Sequence, residues 1–166
     1  KDENAEKTAQ MVGLSAIKYG DLSNQASKDY IFDVERFTSF EGNTGPYILY
    51  TIVRIKSILE RYKNEGGNPQ DGKILEAFNE SEKNLMLELG KFNSVIEPAF
   101  QEKAPHKICS YIYDLANAFN SFYHETKILG EENTKKREGL IALLILTRDV
   151  LETCIDVLGF SAPEKM

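Results

Sequence analysis

No segment of this chain alternates convincingly with period two, and its clearest apolar stripes recur three and four positions apart. That pattern excludes half-buried strands and leaves helices. It is clearest after Gly42-Asn43, which breaks the chain. Thr44 can accept backbone N–H bonds there, and Pro46 suits a first helical turn. From that point to Lys63, at about 100° per residue, Ile48, Ile52, Ile55, Leu59 and Tyr62 share one stripe. Tyr47, Tyr50, Arg54, Ser57 and Arg61 fall on roughly the opposite one. The first stripe is a core face.

The same period marks the other segments. Residues 4–22 read as a helix through Ala5, Ala9, Val12, Ala16 and Ile17, ending near Gly20. A polar loop follows over 23–28, then an aromatic-rich short helix and turn over 29–40. The run from Asn64 to Gly72 is a plain Gly/Asn/Pro loop. Helices are expected from Ser81 to about Phe92 and from about Asn93 to Glu102, nearly continuous, with Gly90 and Pro98 as irregularities. Pro105 opens a helix to about Thr126 whose stripe is Ile108, Ile112, Leu115, Phe119 and Phe122. After a loop from Leu129 to Thr134, the last helix is expected from Leu140 to Leu158. Its core face is Leu140, Leu144, Leu151, Ile155 and Leu158, with Arg148 and Asp149 as a polar interruption. Gly159 suits its C-cap and Pro163 its stop. The fold class is therefore all-α, a helical bundle. At 166 residues it can bury a real core as one domain, or one domain with an appended segment.

Several chemistries lack their residues. No Glu-x-x-His pair occurs for a di-iron bundle, and no Gly-x-x-x-x-Gly-Lys-Ser/Thr or Gly-x-Gly-x-x-Gly loop for phosphates. Ser15 has no second glycine of a nucleophile elbow, and neither His106 nor His124 is near it in sequence. With no Cys-x-x-Cys and two unspaced histidines, no metal site is expected. Cys109 and Cys154 sit on apolar stripes and read as buried free thiols in a reducing, cytoplasmic compartment. No apolar run is long enough to span a membrane. The N-terminus, charged and without an apolar run, is no signal peptide; it resembles an internal cut, so a longer parent is expected.

The polar stripe carries two readings. Tyrosines interleaved with arginines can be a second buried face, with hydroxyls satisfied by neighbours and arginines snorkelling. They can equally form a platform on which unpaired bases stack while cations hold phosphates. The same residue types also suit a protein hot spot, so a non-catalytic helical protein-interaction module is the alternative. A net charge of −6 opposes approach to a polyanion and makes any nucleic-acid contact depend on a local patch. From Thr44 to Lys63 the chain offers Arg54, Lys56, Arg61 and Lys63 against Glu60 alone. Lys135-Lys136-Arg137 reads first as a solvated helix start.

Phe40-Glu41-Gly42-Asn43-Thr44-Gly45-Pro46-Tyr47-Ile48-Leu49-Tyr50, with Arg54 one turn on, resembles a segment of the arginyl-tRNA synthetases. Ala16 to Ser23 and Asp29 to Asp33 precede it as they would in that family. Asn120-Ser121-Phe122-Tyr123-His124 and the final Pro163-Glu164-Lys165-Met166 follow it in the expected order. The resemblance implies a helical connector from the end of the catalytic region over 1–42 and a DALR-type anticodon-binding domain over 43–166. It implies a parent that joins arginine to its tRNA with ATP, with magnesium as the usual companion ion. The His-Ile-Gly-His and Lys-Met-Ser-Lys-Ser signatures of the class I catalytic domain do not occur in these residues, so neither a catalytic residue nor a cofactor is expected here. The implied partners are arginine tRNA and the parent's own catalytic domain. Family positions that contact the anticodon loop fall on Tyr47, Tyr50, Arg54 and Tyr123. Lys127 takes a position that is aromatic in some relatives and is expected to meet a phosphate instead. Met166 matches a residue that lies against the anticodon.

Overall fold

In a computed structural model, residues 3–70 and 72–166 are described; Lys1, Asp2 and Asp71, which belong to the expected N-terminal run and to the 64–72 loop, lie outside them. Seven helices follow in order: α1 (Glu3–Leu22), α2 (Val34–Thr38), α3 (Gly45–Asn64), α4 (Glu80–Gly90), α5 (Phe92–Gln101), α6 (Pro105–Glu125) and α7 (Thr134–Val157). No strand occurs among the described residues.

α3 is the central rod, and its start is built as its sequence requires. Thr44 has extended backbone dihedrals, and its Oγ1 accepts from the Tyr47 N–H at 3.2 Å while donating to the Ser39 carbonyl at 2.6 Å. Pro46 sits in the first turn, where a missing N–H costs nothing. The expected stripe is sealed: Ile48, Ile52, Ile55, Leu59 and Tyr62 are all buried. The buried surface is wider than that stripe, because Leu49, Thr51, Val53 and Ile58 are covered too. α3 packs against α1, α6 and α7, so three sides of it meet protein.

Its partners present the apolar rows legible in sequence. Ile108, Ile112, Leu115, Phe119 and Phe122 of α6 and Leu140, Leu144, Leu151 and Ile155 of α7 join the α3 stripe in one cluster. α4 and α5 complete the bundle by packing on α6. Each fully buried leucine, isoleucine or phenylalanine contributes about 1.5–3 kcal/mol of transfer free energy. α1 belongs to the same core through Tyr19, which is wholly buried; its hydroxyl lies 2.5 Å from Asn43 Oδ1 and 2.8 Å from the Cys109 carbonyl. α1 and α3 approach backbone to backbone at Gly45, where a Cβ would collide with the Ser15 carbonyl.

One boundary departs from expectation. α7 begins at Thr134, six residues before Leu140, because Asn133 caps it by accepting from the Lys136 N–H at 3.0 Å. Lys135, Lys136 and Arg137 thus form its first turn, where cations oppose the helix dipole. Glu131 offsets this for Lys136, with 3.0 Å between their charged atoms, and Lys136 Nζ also lies 4.5 Å above the Phe78 ring. At the other end Gly159 takes φ +84°, and the Phe160 N–H returns to the Ile155 carbonyl.

Candidate functional site

A groove of about 580 Å³ opens where the first turns of α3 face the last turns of α6. Tyr47, Tyr50, Arg54, Asn120 and His124 line it, with Phe40 and Glu41 from the loop before α3 and Met166 from the final segment. α3 supplies three of these at spacings of three and four, which places them on one face.

The tyrosines expected to be alike are not. Tyr50 stands out from the bundle with 43% of its surface exposed. Tyr47 is half-buried against α6: its hydroxyl donates to Asn117 Oδ1 at 2.7 Å and accepts from Asn120 Nδ2 at 2.8 Å. Its ring meets Tyr113 edge-on at 5.8 Å. Burial is the main cause that lifts the Tyr47 phenol above its ordinary pKa, so the hydroxyl stays protonated at neutral pH. The placement of Tyr47 is that of a second buried face, whereas Tyr50 has the exposure that an open platform requires.

Arg54 is fixed in place from three sides. Its Nη1 donates to Asn120 Oδ1 at 2.7 Å, and its guanidinium carbon lies 4.7 Å from the Tyr50 ring centre and 5.1 Å from that of Tyr123. Asn120 also points Nδ2 at Thr51 Oγ1, 3.4 Å away. Arg54, Asn120, Tyr47 and Asn117 therefore form a continuous hydrogen-bonded row, each donating to the next. Rows of this kind polarise cooperatively and hold one geometry. The guanidinium keeps further N–H donors, so the groove presents an immobilised cation beside an exposed ring.

The expected contacts divide accordingly. Tyr47, Tyr50, Arg54 and Met166 line the groove, and Met166 is 44% exposed. Tyr123 joins them indirectly, partly exposed, stacked on Phe119 at 6.1 Å and facing the Arg54 guanidinium. Lys127 is exposed in the loop after α6 and does not line the groove. Sequence reasoning did not single out Asn117, Asn120, His124, Phe40 or Glu41 as site residues. All but Asn117 lay inside the recognised motifs, and Asn117 stands one turn before Asn120 on α6.

The expected basic patch on α3 is smaller than its sequence. Lys56 is neutralised by Glu152 at 2.8 Å and Glu164 at 2.7 Å, and Glu60 pairs with Lys165 at 3.3 Å. Arg61 and Lys63 remain exposed. Lys135, Lys136 and Arg137 do not line the groove. Among the described residues no group of three or more His, Cys, Asp or Glu is placed to hold a metal ion, and no helix is long and apolar enough to cross a membrane.

Residues 48–166 match the family described as the DALR anticodon binding domain. The chain is 65% identical to an arginine–tRNA ligase of Agathobacter rectalis over 99% of its own length, and 56% identical to one of Alkaliphilus oremlandii over 97%. It spans only 28% and 27% of those two proteins. Among solved structures, the Thermus thermophilus arginyl-tRNA synthetase superposes with a TM-score of 0.88 at 32% identity, over 97% of this chain and 28% of that one.

Proposed function

This chain belongs to the DALR anticodon-binding domain family, and on that premise we propose that it grips the anticodon loop of an arginine tRNA for an ATP-dependent arginine–tRNA ligase. The catalytic region of that ligase, with its ATP and magnesium, is assigned to the part of the relatives that this chain does not span. Protein synthesis then places the protein in the cytoplasm.

The observation that carries the reading is the groove holding Tyr50 beside a fixed Arg54. Anticodon nucleotides in a loop are unpaired and can be splayed onto rings and guanidinium planes. One base stacked on an aromatic is worth about 1–3 kcal/mol, and a guanidinium already held by Asn120 gives up little freedom when it meets the RNA. The Glu41 carboxylate supplies acceptors for base edges along the same wall. Tyr47, Tyr123 and Met166 are assigned supporting contacts there, and Lys127 a phosphate contact outside the groove. With a net charge of −6 the chain as a whole opposes approach to RNA, so binding depends on local contacts in and beside this groove.

The test is a gel shift of this chain with two stem-loops, one bearing an arginine anticodon and one an unrelated anticodon of equal length. Selective retardation of the first is expected. Equal retardation of both would reduce the groove to a non-specific cationic surface. Retardation of neither would overturn the reading in favour of a protein-docking module.

A further inference from the structure

Lys56 departs most from its sequence expectation. It lies on α3, yet its side chain is only 13% exposed, and it holds one carboxylate on α7, Glu152, and one beyond α7, Glu164. Glu164 is itself 83% exposed, and among the described residues its side chain is oriented by that ion pair. The segment around it has no helix or strand hydrogen bonding of its own after Gly159. It is tied down at successive points instead. Phe160 and Pro163 are buried, Ala162 packs on the core, Glu164 meets Lys56, and Lys165 meets Glu60 one turn further along α3. The next residue, Met166, reaches the groove of Tyr47, Tyr50 and Arg54.

We infer that Lys56 is a positioning residue: by clipping Glu164 to α3 and α7 it fixes the register of the final segment and holds Met166 against the groove. Its effect on RNA rests on the anticodon reading above; the clip itself does not. An ammonium already shared by two carboxylates has little left for a phosphate, so Lys56 acts on the RNA through Met166 rather than by contact. The direct-contact and clip readings predict opposite signs for one variant. If Lys56 touches phosphate, Glu164→Gln frees it and removes a negative charge, so RNA binding tightens. If Lys56 is a clip, Glu164→Gln releases Met166 and binding weakens.

Two measurements on this chain decide it. The chain has three methionines, so a sample labelled with 13C at the methionine methyls gives three signals, assigned to Met166 by Met166→Leu. Lys56→Leu and Glu164→Gln should each move the Met166 signal toward its random-coil position and narrow it, with Met11 and Met86 unchanged. An unmoved Met166 signal overturns the clip. Titration with the arginine-anticodon stem-loop should then give roughly two- to fivefold weaker binding for Lys56→Leu, the upper range of an ion pair with one exposed partner. Glu164→Gln should weaken binding in the same direction, and neither change should add to Met166→Ala. Tighter binding by Glu164→Gln, or a full additional loss for Lys56→Leu in the Met166→Ala background, overturns the positioning role. Glu164 is exposed, so its variant folds whatever becomes of Lys56→Leu. If the unaltered chain fails to retain the stem-loop, the anticodon reading falls while the methyl spectra still decide the clip.

Discussion

Arg54 and Asn120 lie 66 residues apart in sequence and are joined by a 2.7 Å hydrogen bond from Nη1 to Oδ1 that spans the seam between α3 and α6. The bond fixes a flexible cation above the Tyr50 ring before any ligand arrives. Asn120→Ala should therefore weaken binding of the arginine-anticodon stem-loop by about 1 kcal/mol, the net worth of one such bond. It should leave the salt dependence alone, because the charge is still present. Arg54→Ala should cost more and, if the guanidinium holds a phosphate, should reduce the slope of log K against log salt by about 0.7. Titrations at several salt concentrations separate the two. Equal slopes for all three proteins would assign Arg54 to base edges alone.

The two groove tyrosines should separate under mutation. Tyr50 is exposed, so Tyr50→Ala is expected to change stability by less than about 0.5 kcal/mol while costing about 1–3 kcal/mol of RNA binding. Tyr47 carries a hydroxyl used by both Asn117 and Asn120. Tyr47→Phe leaves those amides short of a partner and should lower unfolding stability by about 1 kcal/mol. Because Asn120 then loses a restraint, RNA binding should weaken as well, though no stacking surface is removed. Denaturation midpoints beside stem-loop titrations check both. A destabilised Tyr50→Ala would make that ring part of the core.

What could be read before the fold was seen followed from local rules. The Thr44 cap, Pro46 in the first turn and the stripes of α3, α6 and α7 all lie within a few residues of each other, where helical spacing decides the outcome. The start of α7 was harder, because three consecutive cations there contradict the dipole preference, and the cap at Asn133 carries no apolar residue to announce it. The row from Arg54 to Asn117 was not legible as a row. It depends on the rotation of α6 against α3, which no spacing within either helix reports. Lys56 was misjudged for the same reason, since Glu164 lies 108 residues away. Tyr47 and Tyr50 look equivalent on a helical wheel, and only the approach of α6 to one side of the stripe makes them differ.

A stabilising change is available at the end of α5. Lys103 adopts φ +50°, with its N–H on the Phe100 carbonyl and the next N–H, of Ala104, on the Ala99 carbonyl. That is a helix-terminating turn in which the left-handed residue is ordinarily glycine. A side chain there costs about 1–2 kcal/mol, partly offset by the extra freedom glycine gives the unfolded chain. Lys103→Gly should therefore stabilise the protein by about 0.5–1 kcal/mol, a rise in Tm of roughly 1–4 °C. Differential scanning calorimetry reads this directly. No rise would mean that the Lys103 side chain contributes packing that matches its backbone cost.

The thiols predict how the fold responds to alkali. Cys109 and Cys154 are fully buried, free, and pushed by that burial from an ordinary value of 9.0 up to about 12. Tyr19 and Tyr111 are shifted upward for the same first reason. The unfolded chain ionises these groups at their ordinary values while the native state keeps them protonated. The unfolded state therefore binds fewer protons across that window, and alkali favours it. The stability these groups contribute is complete below about pH 9 and is lost as pH rises toward 12, by about 1.4 kcal/mol per pH unit for each thiol fully ionised in the unfolded state alone. Urea midpoints measured from pH 7 to 10.5 should stay level and then fall. Cys109→Ala with Cys154→Ala should give a protein less stable at pH 7, because two buried sulfurs leave cavities, but with a shallower fall above pH 9. In the unaltered protein at pH 8, a thiol reagent should modify both cysteines no faster than the chain opens, since neither thiolate exists in the native core. Rapid modification of either one would place that sulfur within reach of solvent and remove its share of the alkaline loss.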